Sequence, residues 1–537
     1  MLIGTSLIAY TLVPEAAYAA NECGAPPPGG GTVTCPPSGN PYAGGVTYDP
    51  VVEDLTVVLE PGVIVTGGVD LGTFLPQVDL TLEAGTDTEI SSDTAGVHGV
   101  EADTFSGSIT TTTDSVITTG DNSHGIRAET KYGAITIDSA TVLTSGELSD
   151  GIHAVSTGGP VNKYTAGPID ITSSSLTVEG PGSIGIYASS DGDIIIDSGF
   201  ILTRGEGSTG ISAATTEGDI EIHSTDIFNQ NESSPGIVAT SDSGNIDIEN
   251  RSSVTTNGAS SPGIIASSGD GNVTITSVAV GTSEADSDGI TGQSIEGDVT
   301  IGSEAVATTG DNSIGILAGT ENGAINITSS TVHTTGAGSI GIAAQTGSGC
   351  ECAPPPPPSP PPPPSPPPPP PPPTGDFKSS AIGPAAAPIA VPPGISITSG
   401  SITTGGAGAH GITASTFDGD IYVESSEIVT TGAGAGGILA DTKYGSITID
   451  SGTVSTSLEN GIGIGAIASG GPGDKYGGGP VLVTSDSVST HGAGSIGIAA
   501  GSTGDVTVDS GTVATTGANA IGISAFSAAG EVSVTST

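Results

Sequence analysis

A Gly-Ile-x-Ala element recurs along this chain and constrains its fold more than any other feature. It stands at Gly125, Gly151, Gly185, Gly210, Gly236, Gly263, Gly315, Gly341, Gly411, Gly437, Gly463, Gly497 and Gly522. Val100 replaces Ile after Gly99, and Gly292 replaces Ala after Gly289, which brings the copies to fifteen. The basic spacing is 26 residues. Ten residues after the Gly comes a β-branched pair such as Ile135/Ile137 or Ile220/Ile222, and seven further on another aliphatic residue such as Val142 or Ile227. Nine more residues lead to the next Gly. The seven-residue step fails once, between Ile246 and Val254.

Period-two pairs rich in Ile and Val, bounded by Gly, Ser, Asp and Thr, read as strands. No copy carries helical periodicity, which disfavours leucine-rich and ankyrin repeats, and a propeller blade needs about 40 residues. Three short strands per 26 residues close one turn of a three-sided coil. Stacking such turns pairs each strand with its counterpart in the next, about 4.8 Å along the axis. The fold class is therefore all-β, a right-handed parallel β-helix, whose fifteen turns would extend roughly 70 Å. In this reading Gly at the corner permits a positive φ, and the Ala keeps the corner thin.

The frame also locates its exceptions. The step from Gly to the β-branched pair is nine at Gly185 and Gly497, eighteen at Gly151 and Gly463, and 54 at Gly341. All large insertions thus enter at one turn and would project from one edge of the rod, where solenoids often build a contact surface. The loops Gly158 to Tyr164 and Gly470 to Tyr476 resemble each other. So do Thr104-Phe105 and Thr416-Phe417, and Lys131-Tyr132-Gly133 and Lys443-Tyr444-Gly445, all at an offset of 312, as expected of a block duplication. The third insertion holds eighteen prolines between Pro354 and Pro373. Because the frame resumes at Ile395/Ile397, Ile402 and Gly411, it is expected to be an excursion from one continuous rod; two separate solenoids are the alternative. The expected organisation is a signal-peptide remnant (1–19), a Pro/Gly-rich segment (20–50), a divergent cap (51–98), β-helix turns (99–349), the Pro-rich insertion (350–394) and further turns (395–537). The sequence reaches Thr537 partway through a turn, so the polypeptide is expected to be incomplete.

Charge narrows the function. With 57 Asp+Glu against 8 Lys+Arg and a net charge of −49, a basic groove for nucleic acid is excluded, and docking on anionic lipid is disfavoured. Aromatic content of 3% is too low for an ordinary globular core of this size. The apolar run 2–13, Pro14 and Ala17-Tyr18-Ala19-Ala20 look like the second half of a secretory signal cleaved after Ala19, though no Lys or Arg precedes Arg127. Cys23 and Cys35 flank a Pro/Gly-rich loop and suit a short-range disulfide in an oxidising compartment. Cys350 and Cys352 bridge poorly at that spacing, and the four cysteines make a weak zinc signal.

Signal remnant, Pro/Gly-rich start and Gly/Ser/Thr-rich repeats (Val306 to Gly310, then Gly-Ile-x-Ala) together resemble the passenger regions of Gram-negative autotransporters of the pertactin-like or adhesin type. The resemblance covers roughly residues 20–537. It implies export to the cell surface in association with the outer membrane, frequently adhesion or aggregation, and a C-terminal translocator barrel, which these residues do not contain. The implied partner is a surface receptor, a glycan or a neighbouring cell.

No catalytic, cofactor-binding or metal site is expected. Enzymes on β-helices need clustered carboxylates, often with Arg or Lys. The arginines are only Arg127, Arg204 and Arg251, and Asp138, Glu249, Glu424 and Asp450 are scattered among turns bearing Thr or Gly, the pattern of a solvated face that avoids stacking like charges. His98 and His124 precede the repeat Gly in successive turns and could lie about 5 Å apart. Two imidazoles with no evident third ligand make polar corner residues, and His410 occupies the same place alone. Lys131/Tyr132 and Lys443/Tyr444 offer a cation and an aromatic that can contact a glycan or protein, or shield the strand edge. Asp286-Ser287-Asp288-Gly289 is too short for an EF-hand, and the calcium-binding nonapeptide is absent, leaving only diffuse cation binding.

The leading expectation is an exported, surface-displayed stalk or adhesin without catalysis. A polysaccharide-cleaving enzyme is the alternative; it requires three or more carboxylates plus a cation in one groove. Ice or mineral binding by Thr arrays comes third and needs a flat Thr ladder, which Leu143 and Ile201 interrupt.

Overall fold

In the computed structural model, which describes residues 23–158, 166–347, 394–470 and 477–537, the chain is a parallel β-solenoid of about 17 turns. At about 4.8 Å per turn it is roughly 80 Å long. Its only helical element among the described residues is the 3₁₀ turn Pro37–Gly39. The signal-like segment and the Cys350/Cys352 pair lie outside the described residues.

Each regular turn contributes a short strand, as in Ile126–Thr130, and a long one, as in Ile135–Thr144. The second and third strands expected from sequence are continuous in this long strand. It still turns a corner: Ile135, Ile137 and Ser139 face inward, Ala140 and Thr141 both face outward, and Val142 and Thr144 face inward again. Ala140 is the one residue of this strand without a register partner. Three faces are thus made by two strands. The interior is a stack of like on like, with Ile126 over Ile152, Ala128 over Ala154 and Ile135 over Ile169, all fully buried.

The repeat glycines correct the sequence reading of that corner. None of them has a positive φ. They are required by close approach: a Cβ on Gly125 would lie 2.4 Å from Val142 Cγ1 and 2.5 Å from the Gly151 carbonyl oxygen. The left-handed residue stands three positions earlier instead, as at Asn122, Leu148, Ser233, Ser260, Asp286 and Asn312. Between the two runs a buried ladder of hydroxyls. Ser123 N–H donates to Ser149 Oγ at 2.9 Å, Ser149 N–H to Ser183 Oγ at 2.8 Å, and the chain of bonds continues to Ser339.

The irregularities fall where the frame places them. The long step before Val254 is a bulge, with Asn250 Nδ2 reaching back to Ser224 Oγ at 3.0 Å and the Thr225 carbonyl at 2.8 Å. All three large insertions leave between a short strand and the next long one. Across the Pro-rich insertion Ile325–Thr334 pairs in register with Ile395–Thr404, so the turns on either side form one stack. The solenoid also starts earlier than the repeat does: Gly31–Cys35 pairs with Leu55–Leu59, and Val46–Tyr48 with Val69–Gly72. These first turns lack the Gly-Ile corner and are fastened by the Cys23–Cys35 disulfide (Cα–Cα 4.9 Å) and by Tyr48 OH donating to the Gly24 carbonyl at 2.8 Å.

Candidate functional site

Three positions of each short-strand turn face outward: the residue before the repeat Gly, and those two and four after it. Over the first four regular turns these positions collect most of the titratable groups of that face. The register stacks Asp70, Glu101, Arg127, His153 and Tyr187 in one column, and Asp103 and Glu129 in the next. His98, His124 and Asp150 form the third.

Arg127 is the hub. Its Nη1 lies 2.7 Å from Glu101 Oε1 and 3.0 Å from Asp103 Oδ2, and its Nη2 lies 2.6 Å from Glu129 Oε2. Burial opposes the guanidinium charge, but Asp103, Glu129 and Glu101 together raise its pKa. Loss of hydration pushes the Asp103 carboxyl up to about 6, Arg127 pulls against it, and Glu129 and Glu101 add repulsion. Asp70 is also pushed up to about 6, by burial first and then by Asp49 and Asp103.

The histidines answer the sequence expectation in detail. His98 and His124 do stack, at 4.9 Å between ring centres, and the column continues through His153 and Tyr187 at 4.8 Å each. They are not exposed corner residues. His98 Nδ1 accepts the His124 N–H at 2.9 Å, and His124 Nδ1 accepts the Asp150 N–H at 2.9 Å, so both are neutral with the proton on Nε2. Burial, followed by His124, Arg127 and His153, lowers His98 to about 3. Burial lowers His124 to about 4, with Asp150 opposing. His410 does the same work alone, accepting the Gly436 N–H at 2.8 Å, and Asp150 and Asp288 accept from Ile184 and Ile314 at 2.7 Å. Where the residue before the repeat Gly is His or Asp, its side chain is thus an acceptor for the next turn's backbone.

His153 and Asp150 were not legible as partners, although aligning the copies in the 26-residue frame sets His153 beside Arg127. Nδ1 of His153 lies 2.8 Å from Asp150 Oδ2, and its Nε2 lies 3.8 Å from Glu129 Oε1. Ligand atoms of His124, Asp150 and His153 come within 4.8 Å of one another. The donor set nevertheless does not suit a metal. His124 Nδ1 and both Asp150 oxygens already hold hydrogen bonds. The two rings are within 26° of parallel, so their in-plane lone pairs run side by side instead of converging on one ion about 2.1 Å away.

A groove of about 340 Å³ adjoins the cluster, lined by Phe74, Asp103, Phe105, Glu129, Lys131 and Val155 among others. Two carboxylates, Asp103 and Glu129, and the cation Lys131 line it, while Glu101 and Arg127 lie outside the lining, one carboxylate short of the arrangement the hydrolytic alternative requires. Lys131 Nζ lies 5.5 Å from the Phe105 ring centre and 5.2 Å from that of Tyr132, and the two rings meet edge to face. The duplicated sequence repeats this cluster: Lys443 Nζ lies 4.9 Å from both Phe417 and Tyr444, whose rings are also edge to face. Ten short-strand steps separate Val100–Thr104 from Ile412–Thr416, roughly 48 Å. Arg127 has no equivalent there, its place being taken by Leu439.

The scattered acids stay apart from this site, on the outer face of the long strands. Glu249 pairs with Arg251 at 3.0 Å, and Asp138 lies between Thr112 and Thr172. Glu424 and Asp450, however, are direct register partners, so this face does stack like charges. Arg204 pairs with Glu179 at 2.7 Å. Thr308, the first Thr of a Thr-Thr-Gly, points into the core and donates to the Ser313 carbonyl, the equivalent Thr334 and Thr430 hydroxyls are buried without a hydrogen-bond partner, and the outer position varies through Ser145, Glu179, Arg204 and Gln230. No protein-family model, curated protein or solved structure matches the chain.

Proposed function

We propose that this chain is an exported, surface-displayed rod of the autotransporter-passenger kind, acting as a stalk or adhesin that meets its ligand along the edge bearing the insertions. The observation that carries the reading is the pair of matching Phe-Lys-Tyr clusters on that edge of one uninterrupted stack, at Phe105/Lys131/Tyr132 and Phe417/Lys443/Tyr444. Lys131 and Lys443 are two of only eight cations in a chain of net charge −49. Rigid aromatic faces next to an ammonium suit a hydroxylated or protein surface. A Cys23–Cys35 disulfide agrees with an oxidising compartment. The test is antibody labelling and protease shaving of intact cells, followed by cell binding with Phe105→Ala and Phe417→Ala combined. Surface labelling and reduced binding are expected; labelling only after lysis would refute export, and unchanged binding would refute the clusters.

Polysaccharide cleavage is the second reading, favoured by Glu101, Asp103 and Glu129 around Arg127 and by the raised pKa of Asp103, which keeps a proton available for a leaving oxygen. Reducing-end release from plant and bacterial polysaccharides, abolished by Asp103→Asn, would support it.

A further inference from the structure

Beyond the third regular turn, the outer face of the short strands changes character. From Ile186–Ser190 to Ile496–Ser502 its outward positions carry Ile265, Ile314, Leu317, Ile340, Leu439 and Ile462, interleaved with small residues such as Gly319, Ala343 and Ala499. Over these eleven strands the only carboxylates at those positions are Asp288 and Asp441, and Asp288 is tied to the Ile314 N–H. The long-strand faces of the same turns carry Asp197, Glu221, Asp247, Glu249, Glu424, Asp450 and more. A parallel sheet normally has both faces covered. Here one face of the sheet covers the solenoid core, while the other is half-exposed and nearly free of charge, its aliphatic and small residues alternating with neutral polar ones such as Thr291, Gln293, Gln345 and Thr413.

We propose that this face is the interface of a homodimer, with a second copy of the chain laid upon it. Ten spacings of about 4.8 Å and five residues of about 3.3 Å give a patch of roughly 48 by 16 Å, close to the ~800 Å² per partner of a standard stable interface. Two chains of charge −49 repel through every carboxylate-bearing face, and this stretch is where they can approach with acids turned away. The lack of charge also gives an oppositely charged partner nothing to read. Face-to-face packing of two copies is isologous. The two-fold axis passes by Ile316–Thr320, the middle strand of the eleven, so Leu317 meets its own symmetry mate and the Arg127 clusters lie at opposite ends of the pair.

Sedimentation velocity on the full chain tests this from about 0.1 to 100 µM. A dimer is expected, and it tightens as NaCl is raised to about 0.5 M, because screening removes like-charge repulsion and leaves apolar contact intact. Leu317→Asp places two carboxylates at the axis and weakens dimerisation by about 100-fold or more. Ile265→Asp weakens it less, and Ile195→Asp, at an exposed apolar residue of the long-strand face, leaves it unchanged. Hydroxyl-radical footprinting of the unsubstituted chain needs no variant to fold: oxidation of Leu317, Leu439 and Ile462 falls with concentration, that of Ile195 does not. A monomer at every concentration and salt, or a dimer whose footprint leaves these three residues open, overturns the proposal.

Discussion

Replacing Gly236 by Ala tests the close approach that the repeat glycines serve. Its Cβ would stand 2.4 Å from the Gly263 carbonyl oxygen and 2.5 Å from Val254 Cγ1. Neither neighbour is free to yield: Gly263 O accepts the Ile237 N–H at 2.9 Å, and Val254 is fully buried in the stack. Relief to an ordinary contact requires a shift of about 1 Å, which strains or breaks that buried hydrogen bond at about 1–3 kcal/mol and overpacks the corner at about 1–3 kcal/mol more. The expected loss is about 2–6 kcal/mol. In a solenoid each turn contacts only its neighbours, so the damage is local. Hydrogen exchange read by mass spectrometry should lose protection in the short strands Ile211–Thr215, Ile237–Ser241 and Ile264–Ser268, while Val100–Thr104 keeps its own. Gly302→Ala is the control: its Cβ would meet nothing closer than 3.9 Å and its φ is not positive, so a change within about 0.5 kcal/mol is expected. Equal effects at the two glycines would refute the argument.

Three further outcomes follow from the same geometry. Ser261→Ala removes the acceptor of the buried Ser234 N–H and should cost about 1–3 kcal/mol by urea midpoint, with Ser233→Ala nearly silent. Leu148 holds φ 52°, so Leu148→Gly should stabilise by about 1 kcal/mol in the same assay. His98 and His124 titrate below their ordinary value of 6.5, so the unfolded chain binds more protons and stability falls as pH drops from about 6.5 toward 4. Asp70 and Asp103, raised from 3.8 to about 6, act oppositely over pH 4–6, because there the folded state holds the extra protons. His124→Asn keeps an acceptor for the Asp150 N–H and removes one acid-sensitive group, so the stability lost between pH 7 and 5 should shrink; an unchanged loss would contradict the assignment.

The winding was legible because the inward side chains of every turn obey one spacing, and even the bulge at Asn250 showed as an extra residue before Val254. The first turns were not, since Gly31–Cys35 and Val46–Tyr48 form their corners with Pro, Gly and a disulfide in place of Gly-Ile. The role of the repeat Gly was misjudged because sequence reveals that a Cβ is excluded but not by what. At the site, the His98/His124 stack followed from the 26-residue spacing alone. Their buried, backbone-accepting state depends on how far the corner folds over each ring, and the Arg127 cluster depends on which of three outward columns face one another across adjacent turns.

Paired spin labels test the continuous stack most directly. Register partners carry Glu221 to Asn326 in four steps and to Thr448 in seven, the latter across the Pro-rich insertion. Double electron–electron resonance on Glu221→Cys/Asn326→Cys and Glu221→Cys/Thr448→Cys, in an otherwise cysteine-free chain, should give narrow distances near ~19 and ~34 Å. A broad 221–448 distribution beside a narrow 221–326 one would mean two separate solenoids, and two distances that do not scale with turn number would contradict the 26-residue winding itself.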